Sequence, residues 1–253
     1  MDFAVCSNGA RVVSLREEGC LFSHNLSKHD ALDCYELLRE FRPAWNAFFG
    51  GRAYFEWKGA SYMLTGRTGA IARTSRYASA DGGRVRHLLR MARRGMRYAV
   101  RMVTRGRIRQ VVSVGPQLQK ATGGVEKMGC SILDASACAE AAERLRADGR
   151  FEVVRMGSTE LEITARGVTK GAGARALMDL LGVDPAHVVA FGDGGNDLPL
   201  VSAVGRFVAV DNADDALKNA AYEVCPSVDK DGVAVWIENM LASGGLKEGT
   251  RYV

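Results

Sequence analysis

Apolar and polar positions fall into two textures along the chain. From Gly157 onward, short continuous apolar runs alternate with amphipathic stretches. "HVVAF" and "RFVAV" lack any polar alternation, as expected of strands buried on both faces. The stretch Lys170–Leu181 sets Ala172, Ala176, Leu177, Leu180 and Leu181 on one helical face, with Thr169 as its N-cap. A short helix starts at Leu198 and tolerates Pro199 in its first turn, and "NADDALKNAA" reads as another. Leu161–Thr164 reads as a strand ahead of them. Strands and helices alternating at these lengths predict a parallel sheet with helices on both faces.

The rest of the chain is mixed. "FAVCS" reads as a strand followed by an Asn8-Gly9 turn. A helix is predicted over Asp30–Glu40, with Ala31, Cys34, Leu37 and Leu38 on one face and Pro43 ending it. Strands are predicted at Trp45–Phe49, at Ala53–Trp57, and over "EKMGCSILD", "FEVVRM" and "ELEIT". "SACAEAAERLRADG" is a helix closed by Gly149. The change of texture sets the expected domains: a core of residues 1–11 and 157–253, and an inserted α+β domain of residues 12–156.

Composition narrows the class. The chain has 253 residues, enough for a substantial core. Apolar residues make up 47% and charged residues 25%, an ordinary globular balance. No apolar run reaches membrane-spanning length, and the start lacks a signal-peptide pattern, so a cytoplasmic location without membrane contact is expected. Cys6, Cys20, Cys34, Cys130, Cys138 and Cys225 form no Cys-x-x-Cys pair, which favours reduced thiols over a zinc site. The four histidines are scattered, and His187 reads as a packing or rim residue. Net charge is +5, and Arg84 to Arg109 carries ten arginines and no acid. Val85, Leu88, Leu89, Ala92, Met96 and Val103 recur there at helical spacing. Such a segment could meet nucleic acid or a membrane surface. The reading adopted is a solvated helix face beside a site for anionic substrates, with no nucleic-acid partner expected.

The candidate chemistry lies in "HVVAFGDGGNDLPL". A buried strand ends in Gly-Asp-Gly-Gly-Asn-Asp, and a helix follows at once. Ligands of open α/β sheets bind at the carboxyl ends of strands, and a helix N-terminus there favours anions. Asp193 and Asp197 would repel a phosphate unless a hard cation stood between, and magnesium suits oxygen ligands of this kind. Asn196 can donate to a phosphate oxygen without adding charge. Lys170, at the first turn of its helix, opposes the helix dipole, and a shared phosphate would account for it. Turn-forming and helix capping alone could account for a single Asp-Gly, but the whole string after a buried strand favours the functional site. A rival reading takes Gly171-Ala-Gly173-Ala-Arg-Ala176 as a dinucleotide fingerprint, but the preceding strand stops near Thr164.

"LEITARGVTKGAGARAL", "VVAFGDGGNDLPL", "FVAVDNADDALKNAAYEV", "DKDGVAVWIENML" and "VCSNGARV" together resemble the haloacid dehalogenase superfamily of phosphatases, in its Cof-type branch with a large inserted cap. The resemblance implies an α/β, Rossmann-like parallel-sheet core with an inserted α+β cap domain. It implies Mg2+ as cofactor, bound by Asp193 with Asp197 in support through water. It implies Lys170 and Asn196 on the substrate phosphate, with Lys170 and Asp193 taking part in catalysis. The substrate would be a small phosphorylated metabolite, such as a sugar phosphate, and the reaction in-line transfer to an aspartate followed by hydrolysis. The family's Asp-x-Asp-Gly-Thr nucleophile motif is absent. The expectation is therefore an N-terminally incomplete phosphatase that is inactive alone, or else a non-catalytic remnant or phosphate- or nucleotide-binding module. Asp229-Lys-Asp231-Gly232 is the one lookalike, and it reads better as a turn before the last helix.

Overall fold

The computed structural model describes residues 2–17, 19–57 and 106–244. Most of the arginine-rich segment, Arg84 to Arg105, lies outside the described residues. The chain divides into two compact units, Met1–His24 with Ala165–Val253, and Asn25–Thr164. The boundaries expected after residues 11 and 156 thus fall later in both places.

The first unit opens with an antiparallel sheet of β1 (Phe3–Cys6), β2 (Arg11–Ser14) and β3 (Cys20–Ser23), in that order. β2 and β3 continue the hairpin begun by β1, which carries the first boundary past residue 11. Between β1 and β2 the chain turns through Ser7–Gly9, with Ser7 and Asn8 both in the left-handed region at φ 52 and 56.

The second unit follows without interruption. α1 (Lys28–Leu37) starts two residues earlier than the apolar face suggests, because the Ser27 hydroxyl accepts from the Asp30 N–H at 3.0 Å. It ends sooner too, passing through a 3-10 turn at Arg39–Phe41 into Arg42 and Pro43. Next come β4 (Ala44–Phe49), β5 (Arg52–Glu56), β6 (Ile108–Val111), α2 (Gly115–Leu118) and β7 (Lys127–Ser131). α3 (Ala135–Asp148) is capped by Asp134, a residue the sequence pattern places in the preceding strand, and it is closed by Gly149 at φ 78, as the sequence predicts. β8 (Phe151–Met156) and β9 (Glu160–Ala165) complete a mixed sheet of order β6-β5-β4-β7-β9-β8. Leu38, Leu118, Met128, Leu145, Leu161 and Ile163 are almost fully enclosed. β9 contains the predicted strand Leu161–Thr164, but it pairs antiparallel with β7 and so belongs to this sheet, not to the parallel one.

The chain then returns to the first unit. α4 (Lys170–Leu181), β10 (Val189–Gly192), α5 (Leu198–Val201), β11 (Arg206–Val210), α6 (Asp215–Ala220) and α7 (Gly232–Ala242) follow the expected alternation, and β12 (Glu223–Cys225) adds a short strand the apolar pattern does not mark. β10, β11 and β12 form a parallel sheet in sequence order. Phe207–Val210, Leu217, Cys225 and Trp236 form its core, with the Phe191 ring edge-on to Trp236 at 5.3 Å. β11 is buried as predicted. β10 is only half-buried, because in the described residues it is the edge of the sheet.

α4 departs from its expected face. Its buried positions are Gly171, Gly173 and Met178, while Leu180 is 52% exposed. A Cβ on Gly173 would lie 2.5 Å from the Gly9 Cα, and one on Gly171 would lie 2.2 Å from the Pro199 carbonyl oxygen. The helix meets its neighbours through bare backbone. The glycines of the dinucleotide reading are therefore used in packing within the chain. All six cysteines are free thiols, and burial pushes those of Cys34, Cys130, Cys138 and Cys225 up from the ordinary value, which makes them poor nucleophiles. No helix of the described residues is long and apolar enough to cross a membrane.

Candidate functional site

The site is assembled at the carboxyl end of β10. After Gly192 the chain runs through Asp193 and Gly194 into a 3-10 turn at Gly195–Asp197 and then α5. Asp197 organises this loop from inside. It is 4% exposed. Its Oδ2 accepts from the N–H groups of Asp193 at 3.0 Å and Gly194 at 3.1 Å. Its Oδ1 accepts from Lys170 Nζ at 2.5 Å. Gly192 makes room for it, since a Cβ there would fall 2.6 Å from the Asp197 Cβ.

Lys170 arrives from the first turn of α4, whose start is fixed by the Thr169 hydroxyl accepting from the Ala172 N–H at 3.1 Å. The unfavourable position of an ammonium at a helix N-terminus is offset by the Asp197 carboxylate. Lys170 Nζ also donates to Asn196 Oδ1 at 3.1 Å. That contact orients the amide and leaves the two Asn196 N–H donors for another partner. An ammonium has three N–H donors, so Lys170 too has one to spare.

The structure thus brings Lys170, Asn196 and Asp197 into direct contact. Asp193 joins them through its backbone N–H. Its side chain is exposed and makes no hydrogen bond or ion pair among the described residues. The two aspartates therefore differ in kind. Asp197 is engaged by three donors, whereas Asp193 keeps an open carboxylate. Magnesium binds through one or two carboxylates and fills its remaining positions with water and phosphate oxygens. The open Asp193 carboxylate fits such an ion, and Asp197 fits as the residue that holds Lys170 and the loop beside it. Gly194 and Gly195 would bring an added Cβ no nearer than 3.5 Å to any neighbour, so the loop backbone is uncrowded on the chain's own account.

One contributor had no sequence signal. The Asp214 N–H donates to the Asp193 carbonyl at 3.0 Å and ties the loop to the start of α6. Backbone contacts of this kind depend on strand neighbours rather than on residue type. Asp229 lies in a 3-10 turn and Asp231 follows it at φ 52, both exposed and leading into α7. This is the turn the sequence favours. His187 is exposed in the turn before β10.

Known proteins resemble this chain in sequence and in fold. A haloacid dehalogenase-like hydrolase family model matches residues 1–237. A phosphoglycolate phosphatase of Methanopyrus kandleri is 40% identical over 93 residues, which is 37% of this chain and 40% of that protein. A 5-amino-6-(5-phospho-D-ribitylamino)uracil phosphatase of Bacillus subtilis is 29% identical over 130 residues, 50% of this chain and 46% of that protein. The matched stretches span less than half the length of each of these relatives. A solved haloacid dehalogenase-like hydrolase from B. subtilis superposes with a TM-score of 0.74 at 19% identity, over 94% of this chain and 79% of that one, which is a likeness of fold. Since the family match runs through both units and through the loop after β10, the chain belongs to the haloacid dehalogenase-like hydrolases.

Proposed function

We propose that the loop after β10 is a magnesium-assisted phosphate site for small phosphomonoesters. One observation carries this reading: Lys170 Nζ is held by Asn196 and Asp197, on the same loop that carries the open carboxylate of Asp193, at the carboxyl edge of a parallel sheet. In this reading the spare donors of Lys170 and Asn196 take phosphate oxygens, Asp193 binds the metal, and Asp197 holds the lysine and the loop in place. When bound, magnesium neutralises phosphate charge that would otherwise meet Asp193. The second unit acts as a cap that selects the substrate. The names of the two relatives both specify small phosphomonoesters, which supports that substrate class.

The sequence contains no Asp-x-Asp-Gly-Thr string. Lys170, Asn196 and Asp193 can position a phosphate and balance its charge, but they supply no covalent step. This chain alone is expected to bind phosphate and to hydrolyse esters negligibly. A non-catalytic phosphate-holding module is the second reading, favoured by the same missing string. Calorimetry with inorganic phosphate and magnesium tests the site: Lys170→Met should weaken binding at least tenfold, and unchanged binding would remove the phosphate reading. Release of phosphate from an aryl phosphate tests the chemistry. Turnover near 1 s⁻¹ or faster, the range of ordinary enzymes, that is lost in Asp193→Asn would overturn the account of the missing step.

A further inference from the structure

The second unit contains a cavity of about 160 Å³, separate in its residues from the loop after β10. It lies where the end of α1, the turn after it, the start of β4 and the end of β5 meet. Its lining combines two aromatic rings, a buried acid and two guanidinium groups. Tyr35 and Trp45 stand with ring centroids 5.5 Å apart, tilted by 35°. The Tyr35 hydroxyl is 2.9 Å from Ser113 Oγ, which fixes that ring.

Glu56 is 4% exposed and lines the cavity. Its two oxygens accept one backbone N–H each, from Trp45 at 3.2 Å and from Val114 at 2.9 Å. A carboxylate has about four acceptor directions, so these two bonds hold it in place and leave capacity for a further donor. Arg39 and Arg42 complete the lining. Among the described residues Arg39 has only a long, exposed contact to Glu36 at 3.4 Å, a weak tie. The Arg42 side chain makes no hydrogen bond or ion pair among the described residues. Arg42 also holds a left-handed backbone at φ 48, uncommon for a residue other than glycine.

This distribution of charge selects a ligand class. A simple anion drawn to the arginines would meet Glu56. A simple cation drawn to Glu56 and the ring faces would meet the arginines. A molecule carrying both charges a few bonds apart satisfies both. An ammonium supplies the hydrogen-bond donors that Glu56 can accept and the positive charge that aromatic faces attract. A carboxylate matches the fork of a guanidinium. A dry cavity of about 150 Å³ holds a benzene-sized molecule, so the ligand has roughly six to nine non-hydrogen atoms. We propose that this cavity binds a small α-amino acid, its ammonium against Glu56 and the rings of Tyr35 and Trp45, its carboxylate against Arg42 and Arg39. The proposal rests on the second unit alone and stands or falls apart from the phosphate reading.

Calorimetry on the full chain tests it with three probes of one shape: L-valine, isovalerate, which lacks the ammonium, and isobutylamine, which lacks the carboxylate. L-valine should bind saturably in the millimolar range or tighter, and each single-charge analogue at least tenfold more weakly. Arg42→Met should weaken valine at least tenfold while leaving the melting temperature unchanged. Glu56→Gln should also weaken it. That variant disturbs a wall of the unit and can unfold it, so Arg42→Met is the deciding one. No saturable valine binding, equal binding of either analogue, or full affinity in Arg42→Met would each overturn the proposal.

Discussion

Asp193 and Asp197 are the same residue type, four positions apart on one glycine-rich loop, and spacing alone treats them as equals. The fold separates them: Asp197 is enclosed with three donors, and Asp193 is exposed with none from side chains or backbone. Lys170 was legible in the sequence because an ammonium at a helix N-terminus needs a compensating partner. That the partner includes Asp197 follows only from strand order. Arg150 makes the same point in the second unit. It bonds Asp30 at 2.9 Å, Asp33 at 2.7 Å and Asp148 at 2.7 Å, joining the start of α1 to the end of α3. The sequence shows only an arginine after a helix-closing glycine. The Arg150 guanidinium holds the Asp148 carboxyl below its ordinary value near 3.8, and Asp30 is held low first by the Ser27 hydroxyl and then by Arg150. A carboxyl whose pKa is depressed in the fold stabilises it fully above the ordinary value, and that contribution is lost as pH falls through and below it. Arg150→Met should therefore lower the melting temperature at neutral pH, and lower it much less near pH 3, measured by circular dichroism at both.

Among elements, type was easier to read than partnership. "HVVAF" and "RFVAV" carry the same apolar signal, yet among the described residues β11 is central and β10 is an edge, because a run of apolar residues does not say how many strands flank it. β9 was recognisable as a strand, but its pairing with β7 is fixed by residues some thirty positions earlier. α4 was recognisable as a helix with its cap, but the apolar pattern does not mark its packing face, because Gly171 and Gly173 bring bare backbone against their neighbours. Gly173→Ala decides between two opposed effects. Alanine favours a helix interior over glycine by about 1 kcal/mol. Here its Cβ would fall 2.5 Å from the Gly9 Cα and 2.6 Å from Val5 Cγ1, and backbone at Gly9 cannot turn aside as a side chain can. Overpacking costs about 1–3 kcal/mol, so the steric effect should win. The variant should lose up to about 2 kcal/mol by urea unfolding; a stabilised variant would mean that the helix shifts freely on its neighbours.

On the scale of the whole molecule, one unit is continuous in sequence and the other is not. Asn25–Thr164 carries its own six-stranded sheet and its own enclosed apolar residues. Expressed alone, that stretch should melt in one cooperative transition with dispersed amide signals; a non-cooperative melt would show that it needs the rest of the chain. The existence of an insertion was legible in the change from mixed to alternating texture, but its edges were not, because β2, β3 and β9 are strands whatever sheet they join. The first unit must join β1–β3 to an α4 that lies beyond all 140 residues from Asn25 to Thr164. At the usual 5–20 residues per second of synthesis, that insertion takes roughly 7–28 s to make. Throughout this interval the nascent β1–β3 ribbon lacks the helix that packs on Gly9 and Val5, and Val5, Leu15 and Leu21 are each more than a third exposed even once folding is complete. The wait is set by the length and codon usage of the inserted unit, so a synonymous change that slows its translation prolongs the exposure of a ribbon already made, without altering one amino acid.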